Sequence, residues 1–82
     1  MHIIKRNGSE ADFDPEKIVA AVGKANASVA ASERIDGQVV RALAERVTGR
    51  CEALKRAPSV EEVQDFVEEE LQGLGALSLI HI

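Results

Sequence analysis

The 82-residue sequence predicts an α+β domain: an N-terminal β-hairpin packed on a small cluster of three α-helices. Three observations carry this reading. Asn7-Gly8 is a strong hairpin signal, because both central positions of a type I′ turn need φ > 0. Helix-start signals then follow at Asp14-Pro15, at Asp36 and at Ser59-Val60-Glu61-Glu62. Behind each of them, apolar residues recur at helical spacing.

The strands are expected at residues 2–6 and 9–13. A two-residue turn sets Lys5 opposite Glu10, Ile4 opposite Ala11 and Ile3 opposite Asp12. Ile4, Ala11 and Phe13 then share the face that packs on the helices, and Ile3, Lys5, Glu10 and Asp12 share the other. The first helix is expected from about Pro15 to Val29. Asp14 can cap it, and Pro15 at the first helical position gives up an N–H that has no partner there. Phe13 and Ile18 form the two ends of a hydrophobic staple. Ile18, Val22, Ala25 and Val29 make its apolar face. Gly23 inside it costs about 1 kcal/mol relative to Ala, for close packing or by mere tolerance.

The second helix is expected from about Asp36 to Leu54, with Ile35 and Val40 as a second staple. Its apolar stripe is Ile35, Val39, Leu43, Val47, Cys51 and Leu54. The third opens on a capping box, Ser59 with Glu62. Its buried face is Val60, Val63, Val67, Leu71 and Leu74, with Phe66 at the edge, and Gly73 and Gly75 stop it.

Composition narrows the function. The chain is 45% hydrophobic but holds two phenylalanines and no other aromatic residue, so the core must be aliphatic and its stability small. A single cysteine, Cys51, allows no internal disulfide and reads as a buried structural thiol. One cysteine and two distant histidines cannot build a zinc site. A net charge of −4 argues against a nucleic-acid partner. The acidic run Glu61, Glu62, Asp65, Glu68, Glu69, Glu70 reads as a solvated face. No stretch has the length of a membrane span or the form of a secretory leader, so a cytoplasmic protein is the default. There is no nucleophile–base pair and no phosphate-binding P-loop, so binding is the better class than catalysis. Lys5, Arg6 and Lys17 surround the turn and a helix N-terminus, a setting that suits an anion such as phosphate.

Lys5-Arg6-Asn7-Gly8 followed by Phe13-Asp14-Pro15-Glu16-Lys17-Ile18 resembles the opening of the ATP-cone family, usually Lys-Arg-Asp-Gly and then Phe-Asp-x-x-Lys-Ile. Ser59-Val60-Glu61-Glu62-Val63-Gln64-Asp65-Phe66-Val67-Glu68 resembles that family's Ser/Thr-Val-Glu-Glu-Ile-Gln-Asp-Leu-Val-Glu helix. The resemblance covers residues 1–75 and implies a hairpin on, in the family, four helices. The apolar tail 76–82 lacks the Tyr-Ile-x-Tyr-Arg-like run that ends the family's fourth helix, and reads as truncated or as a non-native continuation.

The resemblance implies an ATP or dATP effector, bound with Mg2+. Lys5 and Arg6 would contact the triphosphate, and Lys17 the phosphates or ribose. Asp14 and the backbone around Ile3 and Ile18 would border the adenine, with Ser59 and Gln64 closing the other side. Asp14 and Ser59 also read simply as helix caps. Ala11 stands where many members carry a Glu that helps read the adenine, which puts base selectivity in question. The segments 17–26, 50–54 and 56–60 are most similar to the N-terminus of anaerobic ribonucleoside-triphosphate reductases. The implied partners are the catalytic chain of such an enzyme and further copies of it in a homo-oligomer. Other readings are the cone of a reductase-gene repressor, disfavoured because no Cys-x-x-Cys pair precedes it, and a ligand-free helical module whose acidic helix meets a basic partner.

Overall fold

The computed structural model describes residues 2–76. Its elements run β1 (His2–Ile4), β2 (Glu10–Asp12), α1 (Pro15–Ser28), a 3-10 turn at Ala31–Glu33, α2 (Gly37–Ala53) and α3 (Val60–Gly73). The α+β architecture is as the sequence predicts, with an antiparallel two-stranded hairpin ahead of three helices.

The hairpin differs from expectation in turn type and register. Ile3 pairs with Ala11 and Ile4 with Glu10, one residue off the expected alignment. The loop holds three residues, Arg6-Asn7-Gly8, not two. Gly8 N–H donates to the Lys5 carbonyl at 2.9 Å, and Lys5 N–H to the Ser9 carbonyl at 2.8 Å. Gly8 has φ +85°, while Asn7 is not in the left-handed region, so the turn is not type I′. It is the three-residue form, in which a left-handed glycine makes a bulge after a type I-like turn. The Asn7 side chain favours it. Its Oδ1 accepts from Ser9 N–H at 3.0 Å and from Ser9 Oγ–H at 2.7 Å, a local bond that holds Asn7 outside the left-handed region. A one-residue slip exchanges the faces of a strand. Ile3, not Ile4, therefore packs with Phe13 against the helices.

The three helix caps form as expected. Asp14 Oδ1 accepts from Glu16 N–H at 3.0 Å, and Asp36 Oδ1 from Gln38 N–H at 2.8 Å. Ser59 and Glu62 complete a reciprocal capping box at 3.1 and 3.0 Å. At the end of α3, Ala76 N–H donates to the Leu71 carbonyl and Gly75 N–H to the Gln72 carbonyl, both at 3.0 Å. With Gly75 at φ +73°, this is a Schellman termination. It turns the chain back so that Ala76 is buried, while Leu74, expected in the core, is 48% exposed. Ala76, first residue of the expected tail, thus packs with the core; residues 77–82, including Leu77, Leu79 and Ile80, lie outside the described residues.

Helix α2 packs against both α1 and α3. Two neighbours require a broad apolar face. Val40, Leu43, Ala44, Val47 and Cys51 supply it, whereas Ile35, Val39 and Leu54 of the expected stripe are only half-buried. The core is aliphatic, as the composition requires: Ile18 and Val22 from α1 and Val63, Val67 and Leu71 from α3 complete it. Burial pushes the Cys51 thiol above its ordinary pKa, which keeps it protonated and unreactive.

Candidate functional site

The hairpin is fixed to the helices along one edge. Ile4 N–H donates to the Pro58 carbonyl at 2.9 Å, and Ile4 bridges Ser59 as if it were a third strand. This contact brings the hairpin over the N-terminal turns of α1 and α3. Between the three elements lies a pocket of about 400 Å3, within the usual range for small-molecule sites. No α2 residue lines it.

Its walls are apolar. The hairpin gives Ile3, Ala11 and Phe13; α1 gives Ile18, Ala21 and Val22; α3 gives Val60, Val63 and Val67. Polar residues are few: Lys5, Asp12, Asp14, Lys17 and Gln64. Among the described residues, Lys5 and Lys17 take part in no ion pair. Asp14 is already occupied as the α1 cap, and the Asp12 carboxylate lies 3.6 Å from His2 Nδ1. The pocket therefore joins an apolar wall to two unpaired ammonium groups beside a helix N-terminus. That arrangement suits an amphiphilic anion with a flat apolar part and a strongly charged part.

Six of the eight residues expected at the site line this pocket: Ile3, Lys5, Asp14, Lys17, Ile18 and Gln64. Arg6 and Ser59 do not. Arg6 reaches across the hairpin tip, and its Nε donates to Glu61 Oε1 at 2.9 Å. Ser59 is spent on the α3 cap. Val22, Val60, Val63 and Val67 are lining residues that the sequence reading placed only in helix faces, and Ala21 is one it placed in none; nothing in a single sequence separates a pocket wall from a core face. The register slip puts Lys5 on the same face as Ile3 and Ala11, so the correction brings this lysine to the pocket.

The sequence matches the ATP cone domain family over residues 1–80. The chain belongs to the ATP-cone family. Domains of this family bind ATP or dATP as effectors and are typical of allosteric regulation in ribonucleotide reductases. The chain is also 39% identical, over 69 residues, to a vitamin B12-dependent ribonucleoside-diphosphate reductase of Thermoplasma acidophilum. The match covers 84% of this chain and 8% of that relative. This ATP cone therefore corresponds to a small part of the reductase it resembles.

The acidic face of the cone's α3 is less free than its sequence implies. Glu70 pairs with Arg46 and Arg50, Glu69 with Arg50, Glu62 with Arg56 and Glu61 with Arg6. Arg50 also lies over the Phe66 ring, 4.4 Å from its centroid. Four of the six acidic residues are thus paired: Glu69 and Glu70 with α2, Glu61 with the hairpin and Glu62 with the α2–α3 connection. No helix among the described residues is long and apolar enough to cross a membrane.

Proposed function

We propose that this ATP cone binds ATP or dATP, with Mg2+ on the phosphates, and acts as the allosteric effector domain of a ribonucleotide reductase. One observation carries the reading: Lys5 and Lys17, unpaired among the described residues, line one apolar-walled pocket beside the α1 N-terminus. Lysine ammonium groups hold phosphate through charge-assisted hydrogen bonds. The wall of Ile3, Ala11, Phe13 and Ile18 then packs on the base, and Gln64 and Asp14 stand at its edge. Mg2+ binds mainly through phosphate oxygens, so it needs no dedicated carboxylate cage here. Regulation follows only if ATP and dATP prefer different states of the whole enzyme. The same reading carries a cytoplasmic location and a homo-oligomeric full enzyme.

For the host, we carry the anaerobic ribonucleoside-triphosphate reductase, on the likeness of segments 17–26, 50–54 and 56–60. The 39% identity to a vitamin B12-dependent diphosphate reductase supports that second class of host. Sequencing the gene beyond the cone decides between them: a glycyl-radical domain supports the first, a cobalamin-dependent catalytic domain the second. Calorimetric titration of the 82-residue chain tests the nucleotide itself. Saturable binding of ATP or dATP, weakened about tenfold by Lys5→Ala and by Lys17→Ala, is expected, since hydrogen bonds to charged groups contribute about 1.5–3 kcal/mol. A chain that stays folded and binds neither nucleotide rejects the reading in favour of a ligand-free module.

A further inference from the structure

Of the three cations around the hairpin tip, two have no ion-pair partner among the described residues and one is taken. Lys5 and Lys17 line the pocket unpaired, whereas Arg6 is held on α3 by Glu61 at 2.9 Å. Both partners of that bond are mostly in solvent, with side chains 75% and 56% exposed. Arg6 precedes Asn7 in the three-residue loop and is adjacent in sequence to Lys5, so its guanidinium starts from the rim of the same site. An exposed ion pair is weak and is exchanged readily for a more highly charged anion. A phosphate group offers bidentate acceptor geometry to a guanidinium, which Glu61 does not fill, since a single Arg6 nitrogen bonds it.

We propose that Glu61 is a positioning residue that competes internally for Arg6, holding it on α3 in the empty domain and releasing it to a polyphosphate in the pocket. The proposal rests on the phosphate reading of Lys5 and Lys17. Glu61 then does two things. It lowers the affinity for the polyphosphate by the strength of the pair that must be exchanged. It also makes the first turn of α3 sensitive to occupancy, because ligand binding removes the hairpin-tip bond while the Ile4–Pro58 backbone bond remains. Glu61 has a second reason to exist, since a carboxylate favours a helix N-terminus. The test must separate these roles.

A double-substitution cycle does so, with calorimetry on wild type, Glu61→Gln, Arg6→Ala and the pair, titrated with ATP and with inorganic tripolyphosphate. Each variant's helicity is checked by circular dichroism. With Arg6 present, Glu61→Gln is expected to tighten both ligands about two- to fivefold, the range set by exposed ion pairs. With Arg6→Ala as background, Glu61→Gln should change neither affinity, so the cycle shows coupling. Equal tightening in both backgrounds means a simple field effect of one carboxylate and overturns the proposal. So does an unchanged affinity in Glu61→Gln while wild type binds, a result that leaves the nucleotide reading intact. Failure of the folded wild type to bind either ligand overturns both.

Discussion

The Asn26 carboxamide makes a two-point hydrogen-bond pair with the backbone of Ile35. Its Nδ2–H donates to the Ile35 carbonyl at 2.8 Å, and its Oδ1 accepts from Ile35 N–H at 2.9 Å. The side chain acts as a piece of strand, satisfying a half-buried peptide on the way from α1 to α2. Arg34 secures the same connection by donating to the carbonyls of Val29 and Ala27 at the end of α1. Asn26→Ala leaves both Ile35 groups unpaired and should destabilise the domain by about 1–3 kcal/mol. Urea unfolding followed by circular dichroism reads this directly. A shift below the scatter of surface substitutions rejects the assignment.

The hairpin tip makes a second prediction. A Cβ at Gly8 meets no atom within 4 Å, so any cost of substitution there comes from its φ of +85°. Gly8→Val should cost about 1–2 kcal/mol, and Gly8→Asn clearly less, because asparagine visits the left-handed region more readily. The ranking is checked by thermal melts. Equal loss in both would point to a steric cause that the open surroundings do not provide.

This same tip marks where sequence reading succeeded and where it stopped. Asn7-Gly8 identified a hairpin, and the Gly8 conformation followed from its lack of a side chain. The turn type did not follow, because Asn7 fits both a left-handed position and a side-chain turn to Ser9, and tertiary packing of Ile3 selects between them. Every face assignment in the hairpin depends on that choice. The caps at Asp14, Asp36 and Ser59 were legible because each is a local interaction spanning two or three residues. Val40 and Ala44 were not placed in the core, since the need for a broad face on α2 arises only from its two helical neighbours. Lys5 and Lys17 were legible as site residues through the family pattern. The Arg6–Glu61 bond, 55 positions apart, was not.

Acid sensitivity should trace to Glu62. The Arg56 guanidinium, first, and the Ser59 backbone N–H, second, hold its carboxyl down to about 2, below the usual carboxylate range. Its folded pKa is depressed, so its contribution is complete above the unfolded value near 4.3. It is lost as pH falls from there toward 2. Wild type should therefore lose stability across that window. Glu62→Gln should be less stable than wild type at pH 7 but show a shallower acid limb. Urea midpoints at pH 7, 4 and 2.5 test it. Parallel pH profiles for the two proteins would remove Glu62 from the acid response.

Three backbone positions offer gains. The space around Gly23 and Gly49 is open, so neither glycine is demanded by packing, and each sits inside a helix. Gly23→Ala and Gly49→Ala should each stabilise by about 0.5–1 kcal/mol. Lys55 follows the α2 C-terminus with φ 57°, the position that glycine usually fills. Lys55→Gly relieves the left-handed strain of about 1–2 kcal/mol, partly offset by the greater freedom of the unfolded chain. In a domain this small, the three together should raise the melting temperature by several degrees. A triple variant that melts with wild type would show these positions to be constrained by something other than their own conformation.

Base selectivity should depend on position 11. Ala11 lines the pocket in register with Ile3, on the wall assigned to the base, and presents no polar group. Of the two carboxylates that line the pocket, Asp14 is engaged as the α1 cap and the Asp12 side chain is 91% exposed to solvent. The wild-type cone should therefore hold ATP mainly through phosphate contacts and apolar packing, and discriminate weakly against GTP. Ala11→Glu adds an acceptor that the exocyclic amino group of adenine can satisfy and the guanine carbonyl oxygen cannot. A hydrogen bond to a charged group contributes about 1.5–3 kcal/mol, so the ratio of ATP to GTP affinity should rise about 10- to 100-fold. Introducing the charge near Asp12 and Asp14 should cost some stability, which a melt without ligand reports separately. Paired titrations with ATP and GTP measure the ratio. If Ala11→Glu remains folded and binds ATP but leaves the ratio unchanged, the base does not lie against Ala11, and its place in the pocket must be sought along the Val60–Val67 wall.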